Sequence, residues 1–332
     1  MAVYTQLGAE VLAALIGEFE VGELRSAKGI AEGVSNSNWL IETSGSPGLD
    51  EAHGGTRFIL TMYEKRVETG DLPFFLGLLD HLAAHGCPVP RTIHDRGGRA
   101  FRFLDGKAVA LIEFLPGVSV SKPTAAQARA VGAALAQLHL ETADFAGQRA
   151  NDLGLSEWQD LAAACGHAGL AGLDPALAAL VARELPSLAQ QWPTGLPRSV
   201  IHADLFPDNV LMLGDGVSGL IDFYFACTDI TAYDVAVTHA AWCFDDQGQG
   251  FRRDLSAALL AGYENVRPLD PAERAALPLL ARGAALRFTL TRAYDWMNTP
   301  ADALVTRKDP MAFARRLEFY ADPANAGIFA AP

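Results

Sequence analysis

The sequence predicts an α+β protein of two lobes: a small N-terminal lobe built on an antiparallel sheet over residues 1–115, and a large, mostly helical C-terminal lobe over 116–332. Three observations carry this expectation. Strand-like segments joined by Gly-containing turns gather before residue 115. The apolar run Ala108 to Leu115 leads straight into Pro116-Gly117, a hinge-like break, and beyond it apolar residues recur mainly at helical spacing. Finally, 332 residues, half of them apolar, suffice for two lobes with a proper core.

In chain order, Val11, Leu12, Leu15, Ile16 and Phe19 share one face of an opening helix over residues 9–19. Leu24 to Lys28 and Trp39 to Glu42 read as strands around a small polar loop, Gly29 to Asn38. Gly33 lets the backbone of that loop approach a ligand, and the amides around Gly33, Ser35 and Asn36 form a concavity suited to phosphate oxygens. An ordinary hairpin connection uses the same residue types. Residues 44–55, rich in Gly, Ser and Pro, are the best candidate for a mobile loop before the third strand, Arg57 to Lys65. A helix follows from Leu72 to about His85, with Phe74, Phe75, Leu78, Leu79 and Leu82 on its apolar face and Asp80 as its one interior acid. Gly86 ends it, and Pro88 and Pro90 prevent its continuation. Short strands at Thr92 to Ile93 and Ala100 to Phe103 precede the hinge strand.

Beyond the hinge, Thr124 and Gln127 form a capping box that opens a helix running to about Leu140, on which His139 reads as structural. Further helices are expected near 155–165, 174–191, 233–245, 251–265, 271–297 and 310–320.

The chemistry lies between Val200 and Phe223. Val210 to Leu213 and Val217 to Ile221 are short apolar strands joined by Gly214-Asp215-Gly216, which folds the second strand back on the first. Asn209 and Asp222 then flank the hairpin. An amide oxygen and a carboxylate so placed suit a hard cation such as Mg2+, which is usually held by one or two carboxylates plus substrate phosphates. Asp204 stands just before them, where it accepts a proton from, or orients, a hydroxyl aimed at a γ-phosphate. This is the polar set of a phosphoryl-transfer site.

His202-x-Asp204 followed five residues later by Asn209 resembles the catalytic loop of protein kinases, and Ile221-Asp222-Phe223 resembles their metal-binding Asp-Phe-Gly. Ala203 stands where protein kinases carry arginine, and Tyr224 replaces the glycine, which points to small-molecule kinases of the aminoglycoside phosphotransferase type. The resemblance implies a two-lobed protein-kinase-like fold with ATP between the lobes. Lys65 would bind the ATP phosphates, Asp80 would pair with it, and backbone near Glu113 and Leu115 would bind adenine. A solvated strand-end lysine and a solvated helix acid are the plain alternatives for Lys65 and Asp80. His202 either touches the nucleotide or shapes the catalytic loop through its backbone.

Several segments together resemble one group, the homoserine kinases of the aminoglycoside phosphotransferase-like type: KGIAEGVSNSNWLIET from Lys28, ILTMYEKRV from Ile59, DLPFFLGLLDHLAAHG from Asp71, VIHADLFPDNVL from Val200 and RGAALRFTLTRAYDWMNTPADALVTRKDP from Arg282. The resemblance implies Mg2+-dependent transfer of the ATP γ-phosphate to the side-chain hydroxyl of L-homoserine, in threonine biosynthesis. The substrate's ammonium and carboxylate require opposite charges. Asp229, Asp234 and Asp295 stand against Arg282, Arg287 and Arg292, with Asp229, Arg287, Tyr294 and Asp295 as the candidate set. Arginines five residues apart on a helix point in different directions, so at most one or two reach one ligand. Asp234 reads first as an N-terminal cap, or in a related structural role, ahead of substrate binding.

Composition narrows the partners. A net charge of −13 without a basic run disfavours nucleic acid or an anionic membrane surface. Cys87, Cys165, Cys227 and Cys243 are scattered, without the spacing of a zinc site or a disulfide framework, and read as reduced, mostly buried thiols. The first residues lack a basic stretch followed by an apolar core, and no apolar run approaches the ~20 residues of a membrane span, so the cytoplasm is the expected compartment. Oligomeric state is not set by the sequence. Three rival readings stand beside the main one. A choline, ethanolamine or aminoglycoside kinase of the same fold would keep Lys65 and the Asp204 set. A catalytically inactive kinase-like regulator usually loses one of them, and all are present here. A metal-hydrolase cluster of His202, Asp204, Asp208 and Asp222 lacks a second histidine nearby.

Overall fold

The computed structural model describes residues 7–30, 36–45, 56–64, 67–299 and 307–330. The chain divides into two compact units: Met1–Gly117 with Phe145–Gly147 and Ser218–Tyr224, and Val118–Asp144 with Gln148–Val217 and Phe225–Pro332. The second division falls inside the hairpin, so Asp222 groups with the N-terminal residues.

The first unit opens with α1 (Ala9–Ile16), followed by β1 (Leu24–Ile30), β2 (Asn36–Thr43), β3 (Arg57–Tyr63), α2 (Leu72–Ala84), β4 (Thr92–Ile93), β5 (Arg102–Leu104) and β6 (Lys107–Glu113). The strands form one antiparallel sheet in the order β1-β2-β3-β6-β4, with β5 also paired to β6. Phe58, Leu60 and Met62 alternate along β3, and the period of two puts all three on one face. There they pack with Trp39, Ile41, Val109 and Leu111, beneath Leu12, Leu15 and Ile16 of α1 and Phe19 beyond its end. The helix stops at Ile16, three residues short of the expected end, and Val11 turns outward, 40% exposed.

The second unit begins with α3 (Ala125–Glu141), whose capping box forms as expected: Thr124 Oγ1 accepts the Gln127 N–H at 3.2 Å and Gln127 Oε1 accepts the Thr124 N–H at 3.0 Å. Next come α4 (Leu155–Leu173), α5 (Pro175–Gln191), β7 (Arg198–Ile201), β8 (Val210–Leu213), β9 (Gly216–Leu220), β10 (Cys227–Ile230), α6 (Thr231–Trp242), α7 (Arg253–Glu264), α8 (Pro271–Asn298) and α9 (Met311–Ala321). Gly166, with φ 64° and ψ 155°, breaks α4 in two: its first part ends near residue 165, as expected, and a second helical part carries on to Leu173. Strands β7 and β10 pair antiparallel, a short ladder the sequence reading did not foresee. All of α6 is buried, and the long α8 packs against it and against α4, α5 and α9.

Helices α3 and α7 cross so closely that a Cβ on Gly132 would overlap the Leu259 carbonyl, and one on Gly262 the Arg129 carbonyl. All four cysteines are free and buried. Burial pushes the Cys165 thiol up to about 11 and Cys227 to about 12, and raises Cys243 as well. Among the described residues no helix is long and apolar enough to cross a membrane. His239 is fully buried, its Nδ1 at 2.7 Å from Tyr320 Oη and its Nε2 at 2.8 Å from Ser256 Oγ, and burial brings its pKa down to about 3.

Gly132→Ala should destabilise the protein by ~1–3 kcal/mol, since the obstacle is backbone rather than a movable side chain; chemical denaturation measures it. His239 sets an acid response. Its folded form stays neutral while the unfolded chain takes up a proton near the ordinary value of about 6.5, so its contribution is complete above that pH. Below it, stability is lost at ~1.4 kcal/mol per pH unit towards the folded value. Unfolding measured across pH should show His239→Gln less stable than the parent near neutrality, with this part of the acid slope removed.

Candidate active site

Between β7 and β8 the chain makes the loop that carries Asp204. Ala203, just before it, adopts a φ of 61°. For a residue with a side chain that conformation costs roughly 1–2 kcal/mol, so something must hold it. One carboxylate does much of the holding: Asp234 Oδ2 accepts the His202 N–H at 2.7 Å and Oδ1 accepts the Ala203 N–H at 2.8 Å. On the other side, the Ala203 carbonyl accepts from Arg287. Asp234 is fully buried in the first turn of α6. Burial alone would raise its carboxyl, but the hydrogen bond and charge of His139, with the charge and backbone N–H of His202, carry it below the usual carboxylate range. His139 Nε2 lies 3.0 Å from Asp234 Oδ2, and its Nδ1 lies 2.8 Å from Tyr263 Oη.

His202 is 0% exposed, and its Nδ1 accepts the Asp204 N–H at 3.3 Å. The ring is closed inside the loop and bonds to its backbone, the geometry of the second of its two readings. The same burial removes it from the hydrolase cluster. The Asp204 carbonyl accepts the Phe206 N–H at 2.8 Å and the Asn209 Nδ2 at 2.8 Å, while Asp204 Oδ2 lies 3.2 Å from that nitrogen. With its NH2 donating to Asp204, the Asn209 amide presents its oxygen in the other direction, the atom a hard cation would take.

The first unit holds the remaining metal- and nucleotide-site candidates. Asp222 follows β9 with a φ of 65°, in the left-handed region like Ala203 and Asp105. Tyr224 fills the place of the expected glycine: its hydroxyl donates to Tyr63 Oη at 3.3 Å, and its ring sits edge-on to Tyr63 and Phe75. Burial, then the Tyr224 hydroxyl and the Asp222 charge, raise the Tyr63 pKa, which puts Tyr63 within electrostatic reach of Asp222. Asn36 opens β2, and its Oδ1 takes the Glu64 N–H at 3.4 Å. Lys65, Gly33 and Ser35 lie outside the described residues, as does 46–55 of the expected mobile loop.

Asp80, expected beside Lys65, has both oxygens engaged elsewhere. Oδ1 accepts the Thr92 N–H at 3.1 Å and Oδ2 lies 2.7 Å from His94 Nε2, which ties α2 to β4. The hydrogen bond to Asp80 raises the His94 pKa. Glu113 exchanges backbone and side-chain bonds with Arg91: its N–H donates to the Arg91 carbonyl at 2.9 Å, and its Oε2 accepts the Arg91 N–H at 3.1 Å. Strand β6 ends at Glu113, and Phe114 and Leu115 follow it outside the ladder.

The substrate candidates separate by burial. Arg287, 1% exposed, is a loop anchor lying over the Phe225 and Phe288 rings, and this removes it from the substrate set. Arg282 is tied to Glu184 at 2.8 Å. Asp229 accepts from Asn151 Nδ2 at 2.7 Å and pairs with Arg198 at 3.3 Å. Tyr294 and Asp295 are exposed near the end of α8. Asp234 does not cap its own helix; its structural role is to reach across the unit to the His202 and Ala203 N–H groups, partners the sequence did not name. The sign was an acid inside the apolar run from Ala232 to Trp242, where a charge needs partners.

Asp234→Ala should cost ~3–5 kcal/mol in denaturant unfolding, because it strands buried donors. The gentler Asp234→Asn should keep ATP affinity close to the parent's while turnover falls, measured by nucleotide titration beside a rate assay.

With this geometry in view, comparison with known proteins is informative. The phosphotransferase enzyme family model matches residues 26–269. The chain is 50% identical to a homoserine kinase of Methylobacterium radiotolerans over 100% of both chains, and 52% identical to one of Nitrobacter winogradskyi over 96% of this chain and 94% of the other. Among solved structures, an amicoumacin kinase superposes with a TM-score of 0.69 at 14% identity, covering 95% of this chain and 94% of that one. A choline kinase from Cryptosporidium parvum gives 0.66 at 14%, covering 97% and 100%. These two establish the kinase-like two-lobed α+β fold, and identity along the full length adds the lineage: the chain belongs to the phosphotransferase enzyme family, alongside the homoserine kinases with which it shares half its residues.

Proposed function

We propose that the protein is an ATP-dependent homoserine kinase, transferring the γ-phosphate of ATP to the side-chain hydroxyl of L-homoserine to give O-phospho-L-homoserine, a step of threonine biosynthesis. The observation that carries this reading is identity of about one residue in two along the whole chain with homoserine kinases of several bacteria. The choline and amicoumacin kinases share only the fold at 14% identity, so their substrates carry no weight here.

The residues fit the reaction. Asp204, on a loop whose preceding residue is gripped at both its N–H and its carbonyl, orients the homoserine hydroxyl and accepts its proton as phosphorus is attacked. The Asn209 amide oxygen and the Asp222 carboxylate are the oxygen donors that would hold Mg2+, which would offset charge on the phosphates. Lys65 takes the α- and β-phosphates, and the Leu115 backbone meets adenine; that backbone has no hydrogen-bond partner among the described residues. Little covalent chemistry falls to the protein. Alignment and charge neutralisation supply the rate. Cytoplasmic location accords with the absence of a membrane-crossing helix among the described residues.

Coupled ADP release from ATP and Mg2+ tests the reading, with L-homoserine beside L-serine, L-threonine, choline, ethanolamine and kanamycin. Turnover should be strong with homoserine alone. Preference for another alcohol would overturn the substrate, and silence with all of them would revive the inactive regulator. Asp204→Asn should cut kcat by about 10³-fold with ATP affinity retained.

A further inference from the structure

The sequence offered three arginines on α8 for the substrate's carboxylate, and the structure gives each a different fate. Arg282 is bound to Glu184 and Ser187. Arg287 is sealed beneath the catalytic loop. Arg292 is half-buried, and among the described residues its protein hydrogen bond is one, from Nη1 to the Asp309 carbonyl at 3.3 Å. A guanidinium has five N–H donors in a planar fork, so most of its capacity is open to a ligand.

Its position is fixed by aromatic packing. The guanidinium lies 4.4 Å over the Phe313 ring of α9. Phe313 in turn packs on Phe288 and on Phe206, at centroid distances of 4.9 and 5.8 Å. Phe206 is two residues from Asp204 and donates its N–H to the Asp204 carbonyl. Arg292 is thus one ring away from the catalytic loop. Burial, and then repulsion by Arg316, bring it down to about 10, while Asp204, Asp309 and Asp208 pull the other way. It remains a cation at neutral pH, felt by the catalytic aspartate.

We propose that Arg292 receives the substrate's carboxylate, and is therefore the residue that separates homoserine from amino alcohols of the same length without one. A planar fork and a carboxylate match in geometry, and a half-desolvated site strengthens the charge-assisted bonds. The inference rests on the homoserine reading and deepens it.

The test compares L-homoserine with 3-aminopropan-1-ol, the same skeleton with hydrogen in place of the carboxylate. KM is measured for the first and Ki for the second as a competitor, in the parent, Arg292→Ala and Arg292→Lys, with KM for ATP as a control. Arg292→Ala should lose about 100-fold in kcat/KM for homoserine, chiefly through KM, while the Ki for 3-aminopropan-1-ol and the KM for ATP move by less than about threefold. Arg292→Lys, which keeps the charge and loses the fork, should fall between and also covers a misfolded alanine variant. Equal weakening of both ligands, an effect on ATP alone, or unchanged selectivity would overturn the role of Arg292 and leave the homoserine reading standing. A parent enzyme that phosphorylates a different alcohol and not homoserine would overturn both.

Discussion

The grip on Ala203 is the constraint around which the second unit is arranged. A non-glycine residue in the left-handed region returns to an ordinary conformation unless it is held, and here the N–H is held by Asp234 and the carbonyl by Arg287. Those two groups come from α6 and α8, so packing of the helices fixes the direction in which Asp204 points. The support continues inward. Asp234 meets His139, His139 meets Tyr263, and Tyr263 meets Arg267, which pairs with Glu273 at 2.8 Å. A buried polar chain is tolerable when each member has a partner, and this one leads from the loop that carries Asp204 through α3 and α7 to the N-terminal turn of α8.

The arginines of α8 show how one helix performs separate tasks. A step of five residues advances about 500°, so each guanidinium leaves the axis about 140° from the last. Arg282 turns to α5, Arg287 to the Ala203 carbonyl and Arg292 to α9. The same side chain is an ion-pair partner, a backbone clamp or an open donor according to what lies in its direction.

What was legible in the sequence was local. The Thr124 capping box, the hairpin after Asn209 and the helices of the second unit follow from neighbours along the chain, and they form as read. The spacing of Asp204 and Asn209 was visible for the same reason, since their hydrogen bonds to each other lie within one loop. Roles decided across space were not visible. Nothing near Arg287 in sequence says that its direction ends at the Ala203 carbonyl, and nothing near Asp80 says that Thr92 and His94 will occupy its oxygens. The β7–β10 ladder escaped because two four-residue strands far apart in sequence carry too little alternation to stand out.

The four cysteines hold one further consequence. Thiol reagents attack the thiolate, and three of these sulfurs have pKa values raised by burial, so at neutral pH the folded chain offers them almost no nucleophile. Cys87 lies in one unit and Cys165, Cys227 and Cys243 in the other. The native second unit thereby carries its own silent labels: whichever of its three sulfurs reacts has first been opened to solvent, and the order in which they react records which part of that unit opens first.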